Sequence, residues 1–107
     1  MKVLIADDHG IVRSGLRKLL EGEDGIEVVA EASDGAQARD MALELRPDLA
    51  ILDVKMPELN GLEATREIHR EAPEVAILIL SMHEEERYLF EALKAGASGY
   101  VLKRAAD

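Results

Sequence analysis

Polar or charged side chains directly follow four apolar segments of strand length in this sequence. They are Asp7, Asp8, Asp53, Ser81 and Lys103. If the segments are parallel strands of one sheet, these side chains meet at its carboxyl edge, where doubly wound proteins bind ligands. Three converging carboxylates cannot all stay ionised in a partly buried site unless a cation neutralises them. The set therefore predicts a cation site beside two groups that can contact an anion.

The donor chemistry narrows the choice of cation and substrate. The sequence has no cysteine, so a metal must be held by oxygen or imidazole. Carboxylates favour Mg²⁺, which Mn²⁺ or Ca²⁺ could replace, and Mg²⁺ commonly shares phosphate oxygens with its protein ligands. Lys103 then offers a point charge, and Ser81 a hydrogen-bond donor, to a phosphoryl group. Asp53 is the best candidate for a carboxylate nucleophile, because it stands alone while Asp7 and Asp8 form a pair suited to metal.

Each of these residues has a simpler interpretation when it is considered alone. Two acids before a helix usually cap it, and an acid after a strand often forms a turn. The convergence of the whole set reverses that preference. We interpret His9, which lies beside a predicted helix start, as a structural residue rather than a metal ligand.

The elements that must position these groups alternate along the chain. Apolar runs of strand length alternate with segments of helical period, which predicts an α/β fold with a parallel sheet and helices on both faces. The predicted strands are 2–6, 26–32, 49–52, 75–80 and 99–102.

Four helices are predicted between the strands. The first presents an apolar face made of Val12, Leu16, Leu19 and Leu20, and the third, from 61 to about 72, is the least clearly amphipathic. The fourth includes Leu89 and Leu93. Capping-box spacing is found twice, for Asp34 with Gln37 and for Asn60 with Glu63.

Composition limits the kind of protein further. The chain has 107 residues, the size of one domain, and a net charge of -9, which argues against direct binding of nucleic acid. No apolar run approaches the roughly 20 residues that span a bilayer, and the N-terminus lacks the features of a signal peptide. We expect a cytoplasmic protein without direct membrane contact.

Taken in order, the motifs resemble the receiver domain of bacterial response regulators. They are "ADD" at 6–8, "LDVKMPELNG" at 52–61, "LILS" ending at Ser81 and "GYVLK" at 99–103. The resemblance implies a flavodoxin-like doubly wound sheet of strand order 2-1-3-4-5, with residues 1–107 forming one receiver domain.

"ADDH" and "GYVLKRAAD" resemble the LuxR-type regulators, whose receivers precede a DNA-binding helix-turn-helix domain. We expect no output domain in this chain. The family's fifth helix is expected to be absent or truncated after Arg104, which would leave the sheet less covered and invite dimerisation. Because Arg104 stands where many members have Pro, a cis Lys103–Arg104 bond cannot be assumed.

The resemblance also implies a role for each site residue. Asp53 would accept a phosphoryl group from the phosphohistidine of a sensor histidine kinase. Asp8, Asp53 and the backbone carbonyl of Lys55 would bind Mg²⁺ directly, and Asp7 would act through water. Ser81 would contact the phosphoryl oxygens, together with Lys103.

Further residues would serve the response. Tyr100 would be the aromatic switch, and the face formed by the fourth helix and fifth strand, roughly 84–100, would be the output surface. Lys55 and His83 could influence the water that attacks the phosphoryl group during autodephosphorylation. The chain would then be a phosphoacceptor, not an enzyme, apart from self-phosphorylation and autodephosphorylation.

Three other functions agree less well with this sequence. A flavin- or nucleotide-binding domain of the same fold would need phosphate-binding backbone after the first strand, where this chain has two acids. An aspartyl phosphatase would need a second acid two residues after Asp53, where Lys55 stands. A receiver-like interaction module that is never phosphorylated is disfavoured by the complete set of acids, hydroxyl and amine.

Overall fold

The computed structural model describes residues 1–81 and 94–102, except the side chains of residue 81 and residues 100–102. Several predictions lie outside this description. They concern most of the fourth helix, His83, Lys103, the Lys103–Arg104 bond and the tail at 104–107. Among the described helices, none is both long enough and apolar enough to cross a membrane.

Strands and helices alternate as predicted. Their order is β1 (Lys2–Ala6), α1 (Gly10–Glu21), β2 (Glu27–Ala32), α2 (Gly35–Leu45), β3 (Leu49–Asp53), α3 (Gly61–Glu71), β4 (Ala76–Ser81) and β5 (Gly99–Leu102). The strands form one parallel five-stranded sheet in the order β2-β1-β3-β4-β5, which confirms the implied topology. Asp53 and Ser81 are the last residues of their strands rather than the first residues after them.

Each central strand sends side chains to two cores. Leu4 and Leu52 belong to the larger core, which α2 and α3 cover. Ile5 and Ile51 belong to the smaller core on the opposite face, where Leu16 packs against them from α1. Because side chains alternate along a strand, both faces of the sheet are apolar, as is usual for parallel strands.

The predicted apolar face of α1 was partly wrong. Leu16 and Leu20 pack against the smaller core, whereas the side chain of Leu19 is 67% exposed. The helix is rotated so that Arg13 and Arg17 face β2 and contact Glu31, which turns Leu19 towards solvent.

The prediction for α3 was also wrong, because this helix is clearly one-sided. Its buried residues are Gly61, Leu62, Ala64, Thr65 and Ile68. Three of them are Gly, Ala or Thr, which allow close packing, and the charged residues Glu63, Arg66 and Arg70 lie on the exposed side, so the contrast between the two sides is strong although few large apolar residues contribute to it.

The two predicted capping boxes differ. Asn60 accepts a hydrogen bond from the Glu63 backbone N–H at 2.9 Å, and Glu63 accepts one from the Asn60 N–H at 3.2 Å, so this box is complete. At α2, Asp34 accepts from the Gln37 N–H at 2.8 Å, but Gln37 accepts from Ser33. That second prediction was therefore correct only for the N-cap.

Candidate functional site

The acidic side chains meet at the carboxyl edge of the sheet, as predicted. Ala6 of β1 pairs with Leu52 of β3, so the residues that follow them, Asp7 and Asp53, are neighbours. One ligand atom from each of Asp7, Asp8, Asp53 and His9 lies within 4.8 Å of the others. Asp7 and Asp53 are buried, with 1% and 5% exposure, whereas Asp8 and His9 are exposed.

The backbone around Asp7 is held from two sides. Its N–H donates to the Ala32 carbonyl of β2 at 3.1 Å, and its own carbonyl accepts a hydrogen bond from Arg13 at 2.6 Å. One Asp7 carboxylate oxygen accepts from the His9 N–H at 2.9 Å. These contacts fix the turn from β1 into α1 and direct the carboxylate towards the site.

Helix capping does not explain the paired acids. The N-cap of α1 is His9, and in the described chain its side chain makes no capping hydrogen bond. The structure therefore contradicts the simpler interpretation of Asp7 and Asp8, which lie two residues and one residue too early, respectively, to be the N-cap.

Asp53 is positioned by the close approach of α3. Asp53 ends β3 opposite Leu80 of β4, and its neighbours Leu52 and Val54 are buried. The Gly61 N–H donates to the Val54 carbonyl at 2.8 Å. A Cβ on Gly61 would lie 2.0 Å from the Asp53 carbonyl oxygen, so the first residue of α3 must be glycine for this contact. The spacing from Asp53 to Gly61 in the motif thus has a steric cause.

The loop at 54–60 carries Lys55. This residue is exposed between buried Val54 and Met56, whose side chains anchor the loop to the core. The Pro57 carbonyl accepts hydrogen bonds from the Leu59 N–H at 2.8 Å and the Gly35 N–H at 3.4 Å. The Pro57 carbonyl, four residues after Asp53, therefore holds the loop against the start of α2.

The remaining predicted residues can be placed only in part. Ser81 ends β4 beside Asp53, since Leu80 is the partner of Asp53 in the register. Tyr100 pairs with Ile79 in β5. The side chains of Ser81 and Tyr100, and all of Lys103 and His83, lie outside the described residues, so their predicted roles stay predictions.

Two residues near the site were given no part in it from the sequence. His9 was interpreted as structural, yet its Nδ1 lies 3.0 Å from an Asp7 oxygen and 3.1 Å from an Asp8 oxygen. Arg13 was not singled out, although it holds the Asp7 carbonyl. The position of His9 directly after two acids was a signal available in the sequence. The contact of Arg13 depends on the rotation of α1, which the sequence did not indicate.

Ion pairs behind Arg13 stiffen this side of the site. Glu31 of β2 accepts from Arg13 at 3.3 Å and from Arg17 at 2.5 Å. Hydrogen bonding to the Glu31 and Glu21 carboxylates raises the pKa of the Arg17 guanidinium. Arg13 and Arg17 thus share the Glu31 carboxylate as a common partner.

The donor set suits a hard divalent cation. Three carboxylates converge within a small volume, and oxygen ligands of this kind are those that Mg²⁺ uses. Two of the carboxylates are buried, and burial strengthens the effect that a nearby positive charge has on them.

Comparisons with known proteins agree with this geometry. Residues 3–107 match the family model described as "Response regulator receiver domain". The oxygen regulatory protein NreC of Staphylococcus epidermidis is 50% identical over 108 residues, which cover 100% of this chain and 50% of the relative. The chain thus spans about half the length of the curated relatives it matches.

Solved structures show the same likeness. A LuxR-family two-component response regulator from Aurantimonas sp. SI85-9A1 has a TM-score of 0.91 at 42% identity, covering 95% of this chain and 73% of that one. The isolated REC domain of RcsB from Salmonella enterica serovar Typhimurium, in the presence of the phosphomimetic BeF3-, has a TM-score of 0.89 at 34% identity. That match covers 97% of this chain and 78% of that one.

Proposed function

Because this chain belongs to the response regulator receiver family, we propose that Asp53 accepts a phosphoryl group from a sensor histidine kinase. One observation carries the proposal. Asp53 is a buried carboxylate at the end of a central strand, within 4.8 Å of ligand atoms from Asp7 and Asp8. Neighbouring acids of this kind have a clear use when a cation and a phosphoryl group share the site.

The proposed step is an in-line displacement at phosphorus. A carboxylate oxygen of Asp53 attacks the phosphorus of the kinase phosphohistidine, and an O–P bond forms as the N–P bond breaks. The electron pair of the N–P bond stays on the imidazole nitrogen, which takes a proton from solvent. The product is an acyl phosphate on Asp53 and a free histidine on the kinase.

The residues that would hold Mg²⁺ are Asp8, Asp53 and the carbonyl of Lys55, with Asp7 acting through water. Bound Mg²⁺ would offset the repulsion between these carboxylates and the incoming phosphoryl oxygens. The chain's own contribution is positional: Arg13 fixes the Asp7 turn, and Gly61 lets α3 pack against the backbone of Asp53.

The conformational response to phosphorylation would involve β4, β5 and the residues that follow them. Ser81 and Lys103 would contact the phosphoryl oxygens, and Tyr100 would be the switch that changes the output face, with Lys55 and His83 as modulators of dephosphorylation. Residues 1–107 would form the receiver, controlling a DNA-binding output domain outside this chain. The half-length match to NreC and the likeness to a LuxR-family regulator support this arrangement.

Intact-mass spectrometry after incubation with acetyl phosphate and Mg²⁺ tests the proposal. We expect one phosphoryl adduct on the wild-type chain, none with EDTA and none on Asp53→Asn. Asp40→Asn is the matched control, because Asp40 is an exposed acid on α2 and should leave the adduct unchanged. An adduct that survives Asp53→Asn, or a wild-type chain that forms none, would refute the proposal.

A further inference from the structure

We propose that His9 is an additional ligand of the divalent cation at this site, and that its imidazole favours borderline transition ions such as Ni²⁺ over Mg²⁺. The inference rests on the proposed metal site and adds a residue to it. It concerns which ions the site prefers. With the three carboxylates alone, the site would offer only oxygen ligands, whereas His9 would add a nitrogen ligand.

The first support is the spacing of the candidate ligand atoms. In an octahedral site with bonds of about 2.1 Å, neighbouring ligand atoms lie about 3.0 Å apart and opposite ones about 4.2 Å apart. His9 Nδ1 lies 3.1 Å from Asp8 Oδ1, the separation of neighbouring ligands, and 3.0 Å from Asp7 Oδ1. The cluster, including Asp53, lies within 4.8 Å, so a contraction of less than about 1 Å would bring Asp8, His9 and Asp53 around one ion, with Asp7 acting through water.

The second support is that His9 is already held in place at the backbone. Its N–H donates to Asp7 Oδ1 at 2.9 Å, and the residue is the N-cap of α1. The backbone that carries the ring therefore starts from a fixed position beside the carboxylates, so less conformational freedom is lost when an ion binds.

The third support is the exposure of the ring. The His9 side chain is 65% exposed, in contrast to the buried Asp7 carboxylate. A neutral imidazole that offers Nδ1 to a metal carries its hydrogen on Nε2, and an exposed ring can give that hydrogen to water. Without an ion, Nδ1 is the nitrogen that carries the hydrogen and donates to the Asp7 and Asp8 carboxylates, since these only accept, so binding of an ion would move that hydrogen to Nε2.

The chemical consequence is selectivity. Imidazole is a good ligand for Zn²⁺, Cu²⁺ and Ni²⁺, whereas Mg²⁺ is bound almost entirely by oxygen. Removal of the ring should therefore weaken the binding of a borderline ion far more than the binding of Mg²⁺. The difference between the two ions, rather than either affinity alone, is the signature of direct ligation.

Isothermal titration calorimetry of tag-free protein with NiCl₂ and, separately, MgCl₂ measures this difference. We expect His9→Ala and His9→Asn to lower the Ni²⁺ affinity by about ten-fold or more and to change the Mg²⁺ affinity by less than about two-fold. The Asn variant retains a polar side chain that can cap α1, so it separates loss of the ring from loss of local structure.

His69→Ala is the matched control, since His69 is an exposed histidine on α3 that belongs to no metal-ligating cluster among the described residues. It should leave both affinities unchanged. In spectra of ¹⁵N-histidine-labelled protein, Ni²⁺ should broaden the His9 ring signals at substoichiometric concentrations and spare those of His69. Equal losses for both ions, no loss for either, or equal broadening of the two rings would overturn the inference.

The same samples separate this inference from the proposed function. If only the inference fails, the Mg²⁺-dependent adduct on Asp53 forms normally and His9→Ala binds Ni²⁺ like the wild type. If only the proposed function fails, the adduct is missing while the selective Ni²⁺ loss in His9→Ala remains.

Discussion

Replacement of Gly61 by alanine should damage both stability and phosphorylation. A Cβ at this position would lie 2.0 Å from the Asp53 carbonyl oxygen and 3.1 Å from the Val54 Cα, and both obstacles are backbone atoms that cannot rotate away. Relief requires α3 and the end of β3 to separate by about 1 Å. Overpacking of this kind costs about 1–3 kcal/mol.

That cost corresponds to a melting temperature lower by about 5–15 °C for a domain of this size. A shift of about 1 Å at a reacting group can lower a rate by about 100-fold, so phosphorylation of Asp53 should slow by a similar factor. Thermal denaturation followed by circular dichroism measures the first effect, and time-resolved intact-mass spectrometry with acetyl phosphate measures the second.

Gly15→Ala on α1 is the matched control. A Cβ there would meet no described atom within 4 Å, so the better helix propensity of alanine should stabilise the protein by about 0.5–1 kcal/mol. The phosphorylation rate should not change. If Gly61→Ala melted and reacted like the wild type, the steric explanation of the motif spacing would be wrong.

Two further predictions concern surface elements. Asn60→Ala removes the hydrogen bond that the Asn60 side chain accepts from the Glu63 N–H, while the bond from the Asn60 backbone N–H to Glu63 can remain, and should lower the free energy of unfolding by about 1 kcal/mol in urea denaturation; an unchanged midpoint would contradict this. The second prediction concerns Glu74. The pKa of this carboxylate is lowered chiefly by a hydrogen bond from the Glu74 backbone N–H and then by a hydrogen bond from the Arg46 guanidinium. Arg46→Ala should raise that pKa only part of the way to its ordinary value, measured by ¹³C NMR titration. Because the pKa of Glu74 is lower in the folded than in the unfolded protein, its small stabilising effect is present at pH values above the unfolded pKa. This effect is lost as the pH falls through the folded pKa, and Arg46→Ala should make it smaller. A pKa equal to the unfolded value would show that Arg46 is the whole cause.

The sheet and the acidic cluster could be predicted from the sequence because their causes are local. Short apolar runs at β1, β3 and β4 have few alternatives to buried strands. Once those strands are parallel, the residues at their carboxyl ends must share one edge. That β1 lies beside β3, so that Asp7 and Asp53 meet, was implied by the resemblance to receiver domains and needs no knowledge of side-chain packing.

Features that depend on the docking of one element against another could not be predicted in the same way. The exposure of Leu19 follows from a rotation of α1 that brings two arginines to Glu31. The burial of Thr65 depends on a helix packed through small residues, and its hydroxyl donates to the Gly61 carbonyl at 2.7 Å. The closeness of His9 to two carboxylates depends on the turn that the Asp7 carboxylate stabilises.

The two glycine contacts around loop 54–60 make the site mechanically asymmetric. A Cβ on Gly35 would lie 1.6 Å from the Leu59 carbonyl oxygen, and Gly61 makes a similar approach to Asp53, so backbone rests on backbone at both ends of the loop. Packing of this kind has almost no compliance, because it contains no side chain that can change rotamer. Displacement of the Asp53 backbone towards α3, or of the Leu59 backbone towards α2, therefore requires whole backbone segments to move together.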